Sequence, residues 1–332
     1  MKKICIVLCL CLAALLVLPG CAGEKQLTRV RLSEVTHSVF YAPQYVAMSQ
    51  GFFRQEGLEV ELTNGGGADK VMTAVVSGQA DMGLAGPEAA IYVMNQGKED
   101  HPVIFAQLTK RDGSFLVGRE PDEDFQWEDL KGSHLLPGRK GGVPYMTLEY
   151  VVREHGLTPG EDVLFDDSVD FSLMASAFAA GTGDYVTIFE PTASALEMQG
   201  QGYILASVGE ASGEVPFTAY FAAGSRIEED PGLFEGFTRA VYRGQKWVEE
   251  HSAEEVAEVL QPYFADTDLE VLVSVVENYK AIDAWAHTPV MSRPGFEKLQ
   301  DIMQQAGQLE ERVAYDDLVN TEFAERVTAE EA

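Results

Sequence analysis

The chain has 332 residues, 46% of them hydrophobic, and its 53 acidic against 24 basic side chains give a formal net charge of −29. A field of that sign repels nucleic acid and anionic membrane faces, so neither is expected as a partner. The four cysteines, Cys5, Cys9, Cys11 and Cys21, all stand at or before position 21, so no disulfide framework holds the rest of the chain.

At the N-terminus, Lys2 and Lys3 precede an apolar run over residues 4–18. That run is shorter than the roughly twenty residues that span a bilayer, which predicts a cleaved targeting segment rather than a membrane helix. The following Leu18-Pro19-Gly20-Cys21 resembles a lipoprotein signal peptidase site. Residues 1–20 are therefore expected to be a signal peptide and Cys21 a lipid-modified N-terminus. A mature chain of this size buries most of its surface without covalent staples and usually divides into two domains.

Residues 30–62 form a complete strand, loop, helix, strand unit. Val30, Leu32 and Val35 read as a strand, residues 36–41 as a polar and aromatic loop, and Pro43 as the start of a helix that Gly51 closes. Leu58, Val60 and Leu62 alternate as the next strand. The pattern then repeats. A glycine loop at 64–67 leads into a helix with Val71, Met72, Val75 and Val76 on one face, a strand at 81–85, the turn Gly86-Pro87-Glu88, a helix at 89–96 and a strand at 103–107. Residues 109–119 place an apolar strand between charged ends, as a crossing between lobes would. The same grammar resumes from Trp127, with strands at 133–136, 163–165, 185–189 and 203–207, a basic glycine loop at 138–142, and helices from Pro144, Phe171 and Pro191. Residues 214–222 return as a second crossing, and helices follow from Pro231. Strand and helix alternation implies parallel pairing, and two crossings make the first lobe discontinuous, with lobe 1 at 27–110 and 220–332 and lobe 2 at 111–219. The acidic segment from Gln308 is weakly patterned and is expected to fray.

Several stretches carry a resemblance: YVAMSQG with Phe52, Phe53 and EGLEVEL, then SGQADMGLAGPEAA, WEDLKG, GRKGGVPYMTLEYVVREHGL and DYVTIFEPTA. Together they resemble the periplasmic-binding family that serves transporters for sulfonates, taurine, nitrate and thiamin pyrimidines, over nearly all of the mature chain. The resemblance implies an α/β, two-lobed periplasmic-binding-protein-like fold of type II, with parallel-rich sheets flanked by helices and a two-segment hinge. It also implies a monomeric receptor on the extracytoplasmic face of the cell membrane that hands a small molecule to the permease of an ABC importer.

In an open α/β sheet, ligands bind beyond the carboxyl ends of the strands. This nominates the loops that carry Thr36, His37, Phe40 and Tyr41, then Gly66, then Gly86 and Glu88, then Arg139, Gly141, Gly142 and Tyr145, and finally Phe189 and Glu190. Pro43, Pro87, Pro144 and Pro191 all stand at helix starts after such loops, where free N–H groups favour acceptor-bearing ligand groups, although proline is common at that position in every fold. Glu88 and Glu190 could serve their own helix turns or a ligand. Glu190 is the preferred contact, with Phe40, Tyr41, Phe189 and Tyr145 as flat apolar walls. Arg139 offers a fork to a carboxylate or sulfonate. The acidic balance favours a pyrimidine-like or other amine-bearing heteroaromatic ligand, with a sulfonate, taurine or nitrate type of anion as the alternative.

The six histidines, His37, His101, His134, His155, His251 and His287, lack paired spacing, so no protein metal site and no cofactor are expected. No G-x-S-x-G elbow occurs, and GGGADK and GRKGGV lack the spacing of a nucleotide loop. A related enzymatic branch makes the thiamin pyrimidine with a cysteine cluster and a pyridoxal-bearing lysine. Here SEVTHSVF keeps a histidine at His37 but no lysine near it, which favours a binding protein over that synthase. An adhesive lipoprotein without a cleft is the remaining reading, and the βα grammar in both halves speaks against it.

Overall fold

Apolar residues at alternate positions put Val30 and Leu32 on the buried side of β1 (Thr28–Glu34), the first element of a computed structural model that describes residues 27–331. The signal peptide expected at 1–20 and the lipidation site at Cys21 lie outside the described residues. Strand β2 (Leu58–Asn64) pairs parallel with β1 from Thr28 opposite Leu58 to Glu34 opposite Asn64. Between them Ser38 caps a single 3-10 turn, Val39–Tyr41, by accepting from Phe40 N, and α1 (Ala42–Ser49) follows with Pro43 in its first turn. Gly51, at φ 72°, turns the chain into the short α2 (Phe52–Gln55).

The unit repeats as α3 (Ala68–Val76), β3 (Met82–Ala85), α4 (Glu88–Asn95) and β4 (Pro102–Thr109). The chain then crosses into β5 (Ser114–Gly118) and β6 (His134–Leu136), and continues through α5 (Val143–Glu154), β7 (Leu164–Phe165), α6 (Met174–Ala179), β8 (Tyr185–Phe189), α7 (Thr192–Met198), β9 (Tyr203–Ser207) and α8 (Val208–Ser212). It returns as β10 (Thr218–Ala223) and ends in the helices α9 (Gly224–Glu229), α10 (Pro231–Glu250), α11 (Ala253–Leu260), α12 (Leu269–Ala281), α13 (Arg293–Gln305), α14 (Tyr315–Leu318) and α15 (Glu322–Glu331).

Two five-stranded sheets result, ordered β2-β1-β3-β10-β4 and β7-β6-β8-β5-β9. Pairing is not parallel throughout, as alternation alone implied. β10 runs antiparallel to β3 and β4, and β5 runs antiparallel to β8 and β9, inside otherwise parallel sheets. The reason lies in the crossings. A chain leaving one sheet at the carboxyl end of a strand enters the other sheet at the same edge of the cleft, so its first strand there must run away from the cleft. The carboxyl ends of the parallel strands in both sheets therefore face each other.

The segment after Gln308, expected to fray, is instead ordered. Phe323, Ala324 and Val327 are buried, and Arg243 Nη2 meets Glu331 Oε1 at 2.5 Å while Arg239 Nη2 meets Glu330 Oε2 at 2.7 Å. Asn320 N also donates to Ile104 O at 2.8 Å, which covers the outer edge of β4. Two of the acidic charges that made the tail look solvated, Glu330 and Glu331, have their cations on α10, far away in sequence.

Candidate ligand cleft

Strand β1 ends in a buried carboxylate. Glu34 is 1% exposed and accepts from Tyr45 Oη at 2.8 Å on each oxygen and from Gln44 Nε2 at 2.9 Å, while His37 Nδ1 lies 3.2 Å from Oε1. Burial pushes this carboxyl above its ordinary value, against the pull of the hydrogen bonds from Tyr45 and His37. Tyr220 Oη donates to Gln44 Oε1 at 3.0 Å, so β10 braces the same network. The hydroxyl of Tyr41 is held protonated by burial and by the charges of Glu34 and Glu88.

His37 packs against the segment that follows α11. Its ring stacks on Phe264 at 4.6 Å, its Nε2 lies 2.8 Å from Tyr263 O, and its side chain is 39% exposed. Thr36 beside it is half-buried. In the glycine loop, Gly66 takes φ 69° and donates to Asn64 Oδ1 at 2.9 Å, while Gly67 N reaches Val35 O at 3.1 Å. The loop is thereby tied to the end of β1.

Three of the expected loops meet partners across the cleft. Phe40, whose carbonyl accepts from Trp285 Nε1 at 2.9 Å, packs on Phe189 at 5.8 Å, on Phe217 at 5.7 Å and on Tyr279 at 5.1 Å. Arg139 Nη1 lies 3.3 Å from Asp69 Oδ1, joining the two lips through an exposed ion pair. Gly141, at φ 84°, accepts from Tyr92 Oη at 3.1 Å, and Gly142 caps α5. Glu88, 4% exposed, lies folded over Gly86 and keeps Oε2 without a hydrogen-bond donor. Burial pushes its carboxyl up to about 7.

Glu190 is fully engaged by the protein. It accepts from Ser194 N at 2.9 Å and Ser194 Oγ at 2.7 Å, which caps its own helix, and from Asn278 Nδ2 of α12 at 2.6 Å. Tyr145 is buried against Phe165 at 5.6 Å, within the second lobe. Among the described residues no group of three or more His, Cys, Asp or Glu side chains could hold a metal, and no helix is long and apolar enough to cross a membrane.

A family model described as NMT1-like family matches residues 25–261. The chain belongs to the NMT1-like family. A Bacillus subtilis (strain 168) protein named "Putative binding protein YtlA" is 45% identical over 313 residues, covering 94% of each chain. The alkanesulfonate-binding protein SsuA from Xanthomonas axonopodis pv. citri, solved bound to MOPS, superposes with a TM-score of 0.71 at 17% identity over 88% of this chain and 98% of that one. At that identity the likeness speaks for the fold, which is the two-lobed periplasmic-binding fold. A 4-amino-5-hydroxymethyl-2-methylpyrimidine phosphate synthase of Schizosaccharomyces pombe (strain 972 / ATCC 24843) matches over 123 residues at 24% identity, 37% of this chain and 34% of that one.

Residues that the motif reading of this NMT1-like chain passed over complete the cleft. Glu34 stands at the same parity of β1 as the buried Val30 and Leu32 and continues their inward face, a signal that was legible. Asn278, Tyr279 and Trp285 come from the C-terminal helices, and nothing local in their sequence marks them as neighbours of Phe40 or Glu190.

Proposed function

We propose that this protein is the solute receptor of an ABC importer, a monomer held at the extracytoplasmic face of the cell membrane by a lipid on Cys21, which captures a small ligand between its lobes and presents it to a permease. It binds and does not catalyse. The observation that carries the reading is the pair of facing strand ends, with loops of both sheets meeting at Asp69 and Arg139, Tyr92 and Gly141, and Phe40 and Phe189. The lobes are residues 27–110 with 220–332, and 111–219, and the two crossings between them form the hinge. The 45% identical relative named as a binding protein supports this reading over the synthase, whose match covers about a third of the chain.

The ligand is a pyrimidine-like or other amine-bearing heteroaromatic compound. Arg139, the cation that would favour a sulfonate, is paired with Asp69 at the cleft lip, while the buried charges of the cleft are carboxylates. Mass spectrometry of ligand released from gently purified protein names the compound, and small-angle scattering reads the closure. Adding back that compound should reduce the radius of gyration, and superimposable scattering profiles with and without it would sink the hinged-receptor reading.

Anchoring has its own test. Cys21→Ser is expected to yield protein without a diacylglycerol adduct that leaves the membrane fraction, since one lipidated terminus supplies the buried acyl chains that hold a soluble body to the bilayer. A Cys21→Ser protein that still carries the adduct, or wild type that never does, overturns the lipoprotein assignment.

A further inference from the structure

Among the described residues two buried carboxylates keep an oxygen without a donor: Glu88 Oε2 in the cleft and Asp112 Oδ2 at the first crossing. Glu88 opens α4, and its side chain bends back so far that a Cβ on Gly86 would lie 1.9 Å from Oε2. Only a glycine at 86 leaves that room. Across the cleft stands the N-terminus of α5, capped by Gly142. The backbone of Val143 there, the backbone of Glu88 and Ala89, and the Arg139 guanidinium all favour the charged form of this carboxylate. A helix N-terminus opening into a cleft is ordinarily a seat for a ligand anion. In this chain a protein carboxylate already lies against it.

We infer that Glu88 sets the ligand class of the cleft: its free oxygen takes an N–H donor from a neutral or cationic ligand, such as an amidine or an aminopyrimidine edge, and its charge bars anions from the first amides of α5. This rests on the receptor reading above and adds to it the group that chooses the ligand. A buried acceptor without a donor is destabilising, and an N–H from the ligand removes that penalty while forming a charge-assisted bond. A sulfonate or nitrate in the same place would bring a second negative charge beside Glu88, with Arg139 already shared with Asp69. The same geometry accounts for Gly86 and for the closeness of Tyr41, whose hydroxyl the charges of Glu34 and Glu88 hold protonated and so able to donate.

The groups facing Glu88 are Tyr41 with Glu34 beyond it in the first lobe, Tyr92 on its own helix, and Arg139 from the second lobe. Arg139 is the cation among them, and its pairing with Asp69 spans the lips of the cleft.

Calorimetry on wild type and Glu88→Gln with benzamidine, 4-aminopyrimidine and ethanesulfonate tests the inference. Wild type is expected to bind at least one of the two N–H donors and to leave ethanesulfonate unbound, and Glu88→Gln to weaken the donor by about tenfold or more. Because burial pushes the Glu88 carboxyl up to about 7, benzamidine, a cation throughout, should bind wild type about tenfold more weakly at pH 5.5 than at pH 8. That wild-type profile carries the test if Glu88→Gln fails to fold, and in a folded Glu88→Gln the pH dependence should disappear. Ethanesulfonate binding to wild type, or donor binding that neither pH nor Glu88→Gln changes, overturns the inference while leaving the receptor intact. Wild type that binds none of the three probes, with scattering that also ignores its co-purified compound, sinks the receptor reading and the inference with it.

Discussion

Glu190→Ala is expected to destabilise the protein and to loosen the contact between its lobes. The Glu190 side chain is 2% exposed and accepts three hydrogen bonds, two from Ser194 of its own helix and one from Asn278 of α12. Its removal leaves the buried Ser194 N–H and hydroxyl without an acceptor and takes the partly buried Asn278 amide's acceptor away. Breaking a buried, charged network of this kind costs roughly 3–5 kcal/mol. The loss divides by location. The Ser194 part caps α7 inside the second lobe and appears in any denaturant melt, whereas the Asn278 part exists only while the lobes touch. A double-mutant cycle of Glu190→Ala and Asn278→Ala should therefore show coupling in the closed, ligand-bound protein and little in a ligand-free sample that scattering shows to be open. An unfolding midpoint for Glu190→Ala equal to that of wild type would refute the assignment of Glu190 as a cap and an interlobe tie. Glu190→Gln keeps one acceptor and turns the other end into a donor facing donors, so it should fall between wild type and alanine.

The second large effect is a dependence of stability on pH set by Asp112. Its carboxylate lies fully buried in the first crossing, accepting from Ser114 N at 2.7 Å and Ser114 Oγ at 2.6 Å, while Oδ2 has no donor. Gly209 packs closely on the same backbone, where an added Cβ would stand 2.0 Å from Asp112 O. Burial pushes the Asp112 carboxyl up to about 7. The folded state thus holds its proton more tightly than the unfolded chain does. Below about pH 4 both states are protonated and the contribution to stability is fully present; it is lost as pH rises through the folded value and stays lost above it. With about 1.4 kcal/mol for each pH unit between the two values, the loss is on the order of 4 kcal/mol. Denaturant midpoints should accordingly be higher at pH 5 than at pH 8. The strong net negative charge pushes the same way, so the deciding comparison is Asp112→Asn, which should shrink the difference between the two pH values by a few kcal/mol. Equal pH slopes for wild type and Asp112→Asn would show that Asp112 does not titrate with folding.

These two carboxylates also mark the limit of what could be read along the chain. Periodicity placed the elements well: the strands Tyr185–Phe189 and Tyr203–Ser207 fall where alternation put them, and Pro43 and Gly51 bracket α1 as local backbone chemistry requires. The presence of two crossings was legible for the same reason, since an apolar strand between charged ends is a local pattern. Most residues nominated for the cleft do lie at the carboxyl ends of strands, because that rule depends only on element order.

What the tertiary structure alone decided is which side chains meet. Alternation cannot tell that β5 and β10 run antiparallel, because direction depends on where a crossing enters the next sheet. Glu190 reads from sequence as serving its own helix turn or a ligand, and nothing local shows that Asn278 and Tyr279 reach it from residues nearly ninety positions later. Arg139 reads as a fork for an anion, and its partner is Asp69 on the other lobe. The acidic tail reads as solvated until Arg239 and Arg243 of α10 stand beside it. Local propensity acts over a few bonds and is written into neighbouring residues, whereas the protonation, pairing and exposure of a charge depend on groups the fold brings within a few ångströms from anywhere in the chain.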